Sequence, residues 1–511
     1  MLLSLVLYAR AGLVVPRRPI SDFYAAGRLV PAPLNGAAIA VCFVVLIALT
    51  GFARAAARDW DAAFLLVLGA GGGLLLLAFL LAPQLRKFGG FSIGDFLGER
   101  FAGRSVRPLA VAAVCLCSFP ALAVALIALG ALAETIFAVD PGTGVGLGMI
   151  MLLLCCLIGG LRSANLTQLL QYAVLLTVSV LALLFLIPQQ GASMDAGTLG
   201  KVFAGEGVAD FAGMDWVNRL GLFFCLLAGT ASLPSIVQQN AVAPAPETAR
   251  ASFLWSLPLA AALALAAQPY AALVTGQGGS AGPVAFGLIM VGATAGCLAA
   301  GSGLLLAIAN ALSDDLYFRS VHLRATTGQR LLVARMAVVV VAGLVAWAAI
   351  ALPKTMLAAS GGAFSLAASA FFPALVLGVW WKRATAEGAL AGMLAGLAVC
   401  LFYMLAPRYI PFAFYETSSF LSNATPDEAA RYGALRQGYY LADEGARAAA
   451  LAAWEETARA VANWGGIKKD FAALFAVPIG FLVMVGVSLF TPAPSRDVQS
   501  FVEDLRKPSV A

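Results

Sequence analysis

Residues 217–237 read VNRLGLFFCLLAGTASLPSIV, an apolar run that carries Gly229-Thr230-Ala231-Ser232-Leu233-Pro234 inside it. A hydrocarbon core of roughly 30 Å takes about 20 helical residues to cross, and backbone in lipid must satisfy its own hydrogen bonds, so the run reads as a spanning helix. Gly229 admits unusual backbone angles and Pro234 lacks an N–H, so the helix can break there and leave free carbonyls and a half-helix N-terminus. In transporters such breaks near the midplane take anionic groups at the positive dipole end and cations at carbonyls. A plain kink in a packed helix is the other reading of the same residues.

Similar runs recur on both sides of this one. Spans are expected at 1–15, 34–52, 62–82, 109–133, 145–161, 166–187, 217–237, 253–274, 284–312, 331–352, 356–380, 389–405 and 471–490. With 61% hydrophobic and 11% charged residues and a mean hydropathy of +0.91, the 511 residues read as one all-α polytopic membrane protein with about thirteen transmembrane helices. The formal charge of +6 sits in loops between apolar runs, with no basic patch interleaved with aromatics, so nucleic acid is not an expected partner. All eight cysteines fall inside apolar stretches and behave as small hydrophobes, and the lone His322, beside Arg324 in a loop, is a solvated histidine. No HExxH, Walker lysine, nucleophile elbow or paired intramembrane carboxylates occur, so the chain is not read as an enzyme.

Loop charge sets the expected orientation. Segments 17–28, 86–107, 319–330 and 382–383 are basic, whereas 134–144 and 275–282 contain no Lys or Arg. The basic set belongs in the cytoplasm, which puts the N-terminus outside and the tail with Arg496, Arg506 and Lys507 inside a cell membrane. The polar insert 407–464 then lies outside. Within it Thr425-Pro426-Asp427-Glu428 has the cap, proline and acids of a helix start, and 443–464, with Glu455 and Arg459 at i, i+4, reads as a second surface helix.

Two further features are polar or small residues in apolar surroundings. Gln168 and Gln171, at i, i+3 with Tyr172 beside them, should face the bundle interior, where they either glue helices together or line a polar path. Gly142, Gly144, Gly146 and Gly148 run straight into Met149-Ile150-Met151-Leu152 with no preceding strand, so they read as helix packing rather than a phosphate loop.

Several segments together resemble the sodium:solute symporter family, in particular its acetate-permease-like branch of monocarboxylate transporters. They are Ser21-Asp22-Phe23-Tyr24-Ala25-Ala26-Gly27-Arg28 with Leu34-Asn35-Gly36-Ala37, then Gly159-Gly160-Leu161-Arg162-Ser163, Gly229 to Pro234, Ser313-Asp314-Asp315-Leu316-Tyr317, and Gly378-Val379-Trp380-Trp381-Lys382-Arg383 followed by Gly388, Gly392 and Gly396. The resemblance implies a LeuT-type inverted-repeat (5+5) bundle. Its parts would be a peripheral helix and basic loop (1–33), a first repeat (34–188), an external loop (189–214), an inverted second repeat (215–383), a peripheral helix (384–406), the external insert (407–464) and a last span with a cytoplasmic tail (465–511).

The resemblance also implies a binding site between the helix at 34–52 and the one broken at 229–234. A sodium site would draw on the backbone carbonyls of Ala40 and Phe43 and on two hydroxyls whose positions are Ala299 and Ala300, with Ser302 the nearest hydroxyl; an expected acid is replaced by Cys42, and a frequent Thr-Asp pair is Thr167-Gln168. The expected function is secondary active uptake of a small organic anion, a monocarboxylate such as acetate or pyruvate, with Na⁺ as coupling ion or else H⁺. Gly229, Thr230 and Ser232 would meet the substrate, and Gln168, Gln171 and Asn310 would line its path. The rival expectation is a transporter-derived binding or sensor protein, or a uniporter, that has lost coupling.

Overall fold

The computed structural model describes residues 2–12, 19–49, 60–103, 105–186, 216–266, 283–352, 362–410, 414, 425–447, 449–451, 453, 454, 457 and 464–507, and these are all helix or short connection. We number the long helices in chain order: α1 Leu2–Gly12, α2 Ala32–Leu49, α3 Trp60–Leu76 prolonged by Leu77–Leu81 and Ala82–Phe88, α4 Val106–Phe137, α5 Pro141–Cys156 and α6 Leu161–Leu186. There follow α7, Trp216–Ser232 resumed by Pro234–Val237 and Gln238–Val242, α8 Pro246–Ala266, α9 Pro283–Asn310 prolonged by Ala311–Val321, α10 Thr327–Ala351, α11 Gly362–Trp380, α12 Ala386–Tyr409 and α13 Ala473–Phe490. Among the described residues, 10 helices are long and apolar enough to cross a membrane, and the bent α7 makes 11.

Sequence reading expects about thirteen, and the difference lies in α1 and α5, of 11 and 16 residues. Both fall short of the roughly 20 needed to cross hydrocarbon. Helix α5 starts early, where Asp140 caps it by accepting from the Thr143 N–H at 2.9 Å, and stops at Cys156 ahead of Gly160, whose φ is +58°. A Cβ at Gly160 would meet the Phe23 carbonyl at 2.5 Å, so this turn brings the segment before α2 against the start of α6.

Two sets of five helices, α2–α6 and α7–α11, pack by an exchange rule. Helix α2 lies on α8 while α7 lies on α3; α2 lies on α6 while α7 lies on α11; α4 lies on α11 while α9 lies on α6. Each contact maps onto its mate when the halves are swapped, as two repeats about a pseudo-two-fold axis require. Helices α12 and α13 pack on each other and on α11, outside both halves. Gly388, Gly392 and Gly396, one turn apart on α12, let that happen: a Cβ on Gly392 would sit 2.6 Å from Met484 Cβ, and one on Gly396 would strike the Ser369 carbonyl. Gly144 and Gly148 of α5 act likewise, a Cβ on Gly144 meeting the Gly130 carbonyl at 2.5 Å and one on Gly148 lying 2.9 Å from Leu129 Cβ, whereas Gly146 faces open space.

The basic segments gather at one end. Arg107 donates to the Arg319 carbonyl (3.2 Å), Arg86 to the Ala243 carbonyl (2.5 Å) and Arg28 to that of Gly89, and the tail helix Arg496–Arg506 joins them through Lys382–Glu503 (2.7 Å). At the opposite end, where α7 and α11 begin, the Lys468 N–H donates to Asn218 Oδ1 (2.7 Å) and Ser365 Oγ to the Asp470 carbonyl (2.6 Å), so the polar insert returns there. In the insert, Thr425 and Glu428 form a capping box at the head of Pro426–Leu441, as its sequence predicts. Of the expected helix over 443–464, residues 447, 449–451, 453, 454 and 457 are described as helical, whereas the loops 189–214 and 275–282 lie outside the described residues.

Candidate functional site

Helix α7 breaks where Gly229 to Pro234 led us to expect it. Leu233 is extended (φ −67°, ψ 122°), Pro234 opens the next segment, and the axis bends by 44°. Pro234 has no N–H to give the Thr230 carbonyl four residues back, so the helical ladder cannot continue through it. All residues from Ala228 to Val242 are buried.

The three residues expected to meet substrate differ in what they do. Gly229 packs against α11: a Cβ there would lie 2.6 Å from the Phe364 carbonyl oxygen and 2.8 Å from Phe364 Cβ. Ser232 Oγ turns back onto its own helix, donating to the Ala228 carbonyl at 2.7 Å. Thr230 Oγ1 is buried with no hydrogen-bond partner among the described residues.

Beyond the break, Gln238-Gln239-Asn240 run against α2, α6 and α9. Gln239 is the hub of a chain of buried amides. Its side-chain nitrogen donates to Gln168 Oε1 (3.2 Å), its side-chain oxygen accepts from Asn165 Nδ2 (3.4 Å), and its main-chain carbonyl accepts from Asn35 Nδ2 (3.1 Å). Asn165 Nδ2 also donates to Asn35 Oδ1 (3.3 Å), while Gln238 Nε2 donates to the Gly303 carbonyl of α9 (2.8 Å). Gln168, expected as a polar lining, is thereby joined to the break. Its Nε2 points the other way, donating to Ser302 Oγ (3.2 Å) and the Ala299 carbonyl (3.4 Å) on α9.

Of the oxygens expected to hold a cation, Ser302 Oγ is therefore engaged by Gln168. The Ala299 carbonyl takes donors from Ser302 Oγ (3.0 Å), Cys42 Sγ (3.3 Å) and Gln168, and the carbonyls of Ala40 and Phe43 belong to α2, which runs unbroken from Ala32 to Leu49. Ala299 and Ala300 are buried methyl groups that bring no hydroxyl. Gln171 leaves Gln168 and faces α5, with Nε2 4.0 Å from Cys155 Sγ and Oε1 unpartnered. Asn310 is buried at the end of α9 with neither amide atom partnered among the described residues.

Sequence reasoning missed Gln239, Asn165, Asn35 and Gln238 as site residues. The signal was present as three consecutive amides, 238–240, directly after the break in an apolar chain.

The other conspicuous motifs converge at the basic end. Arg162 pairs with Asp22 (2.6 Å), and Tyr24 donates to Ser313 (3.0 Å). Asp314 holds Arg319 (3.1 Å) and Arg330 (2.6 Å), and Ser92 donates to Asp315 (2.6 Å). Arg319 also reaches Asp95 (2.8 Å) in the short helix Ile93–Phe101. Burial pushes the Asp95 carboxyl up to about 6, a rise that Arg319 partly opposes. A cavity of about 360 Å³ opens beside this cluster, lined by Asp95, Glu99, Arg319 and, from the tail helix, Asp497 and Phe501; it does not include the break.

Residues 23–275 and 279–396 match the model of the sodium:solute symporter family. An uncharacterized symporter of Cupriavidus necator is 28% identical, with 99% of this chain and 93% of the relative covered, and an uncharacterized symporter of Bacillus subtilis is 26% identical over 75% of this chain and 80% of its own. The structure of a Na⁺-coupled sialic acid symporter in a substrate-bound, outward-open state superposes with a TM-score of 0.70 at 17% identity, covering 97% of both chains, and so shares the fold. With most of its length matched by the family model, the chain belongs to the sodium:solute symporter family.

Proposed function

We propose that this symporter takes up a small organic anion, a monocarboxylate such as acetate or pyruvate, together with Na⁺. The observation that carries the reading is the buried break at Leu233, followed by Gln238 and Gln239, which α2, α6 and α9 meet with neutral amides and carbonyls. An anion buried there gains from N–H and O–H donors without a permanent cation that would hold it too tightly to release, and Thr230 Oγ1 is a buried hydroxyl with no partner among the described residues. Ser232, Gly229 and Asn310 complete the proposed substrate path, with Gln168 and Gln171 as outer polar lining. The proposed Na⁺ ligands are the carbonyls of Ala40 and Phe43 with Ser302 Oγ, a set of hard oxygens suited to a hard cation. The repeat boundaries 34–188 and 215–383, and a cytoplasmic location for the basic end, belong to the same proposal.

Uptake of labelled acetate and pyruvate into proteoliposomes, with an imposed Na⁺ gradient, an imposed proton gradient, or neither, tests it. Uptake accelerated by inward Na⁺ is the expected result. Uptake that follows only the proton or solute gradient would replace Na⁺ coupling with proton symport or uniport.

A further inference from the structure

The buried amides form a polarised chain. Read by donors, it runs Asn165 to Gln239 to Gln168 to Ser302 and Ala299 on α9, while Asn165 Nδ2 also reaches Asn35 Oδ1 and Asn35 Nδ2 ties the main-chain carbonyl of Gln239 to α2. Asn35, Gln168 and Gln239 are wholly buried and Asn165 nearly so, so water cannot take over a lost partner at low cost. The Gln168 N–H₂ thus stands against Ser302 Oγ, the α9 oxygen of the proposed cation site. A cation cannot sit beside the positive end of an amide dipole, but the opposite face of the same amide is an oxygen ligand.

We infer that Gln168, Gln239, Asn165 and Asn35 are positioning residues that form an amide relay, reversed as a unit when a cation binds at the proposed site that includes Ser302 Oγ. This rests on the cation-coupled reading above. Reversal of Gln168 presents Oε1 to the cation and Nε2 to Gln239. Two N–H₂ groups cannot face each other, so Gln239 turns its Oε1 to Gln168 and its Nε2 to Asn165. Asn165 then turns its oxygen to Gln239 and to Asn35, and Asn35 must offer Nδ2 to it. That withdraws the donor from the Gln239 carbonyl. Cation binding on α9 therefore unties α2 from the segment just beyond the break in α7, linking the ion to the solute path without any charged side chain.

The test needs sodium alone. Thermal stability of the purified full chain in detergent is followed while NaCl replaces KCl at constant ionic strength, giving a Na⁺ midpoint. Gln168→Glu offers only oxygens and mimics the reversed state, so its midpoint should fall at least ten-fold, and adding Ser302→Ala should remove most of that gain. Asn35→Ala should shift the midpoint at least three-fold in the parent, and not at all when Gln239→Met has cut the relay. A Na⁺ effect in the parent that is unchanged by Gln168→Glu, or an Asn35 effect that survives Gln239→Met, overturns the relay and leaves Na⁺ coupling standing. The absence of any Na⁺ effect over K⁺ in parent and variants alike overturns the coupled reading and the relay with it.

Discussion

Gly229→Ala is the smallest change that loads the contact between the broken helix and its neighbour. The new Cβ would lie 2.6 Å from the Phe364 carbonyl oxygen, 2.8 Å from its Cβ and 3.0 Å from its carbonyl carbon. Ordinary contact begins near 3.4 Å, and two of the three atoms are main chain, so α7 and α11 must part by several tenths of an ångström. Overpacking of this kind costs about 1–3 kcal/mol, against which alanine recovers about 1 kcal/mol of helix propensity. The net effect is a loss of about 1 kcal/mol. Gly146 in α5 is the control, because a Cβ there meets nothing within 4 Å. Gly146→Ala keeps the propensity gain alone, so the difference between the variants, about 2 kcal/mol, isolates the clash. Equilibrium unfolding in mixed micelles measures it. Since the clash sits one turn before Leu233, uptake should fall in the Gly229 variant only. Equal stability of the two variants would refute the packing role assigned to Gly229.

Asp95 makes stability pH-dependent. Its carboxyl is raised from 3.8 to about 6 on folding, so its contribution is complete below about 4 and is lost as pH rises through 6, by about 3 kcal/mol in all; Asp95→Asn should flatten the stability profile between pH 4.5 and 7, and an unchanged profile would count against it. Buried Arg100 donates to the carbonyls of Gly378 (2.7 Å) and Trp381 (3.1 Å) where α11 ends, so Arg100→Leu should cost about 3 kcal/mol; Arg100→Lys, lacking the fork, should fail to restore it, and full stability of the lysine variant would refute the capping role. Cysteine placed at 430 on a Cys-free background should react with an impermeant maleimide added outside intact cells, and at 324 only after permeabilisation; the reverse pattern would invert the proposed orientation.

The spans and the break were legible because each is written in consecutive residues: apolar runs set the helices, and Gly229 with Pro234 marks the one place where α7 cannot continue. Pairings between segments were not. Asp22 and Arg162 lie in motifs noted separately, and nothing in their spacing says that they meet at 2.6 Å. Gln168 and Gln171 illustrate the limit in a single turn. Three residues along a helix rotate a side chain to within about 60° of its predecessor, close enough to count as one face but far enough to reach different neighbours. Helix α6 is enclosed by α9 on one side and α5 on the other, so Gln168 joins the amide chain while Gln171 turns to Cys155.

The same reasoning explains why the cation ligands were hard to place from sequence. The family resemblance marks positions where expected side-chain oxygens are absent, Ala299, Ala300 and Cys42, but not what takes up the oxygens that remain. At Ala299 the carbonyl is held by a hydroxyl, a thiol and an amide from three helices, α9, α2 and α6. Three neutral donors satisfy that carbonyl fully with hydrogen bonds. On the proposed Na⁺ coupling, exchanging them for a cation would cost these hydrogen bonds and bury a charge with no counter-charge among the three, so the ion would be held weakly, as a carrier that must release what it binds requires.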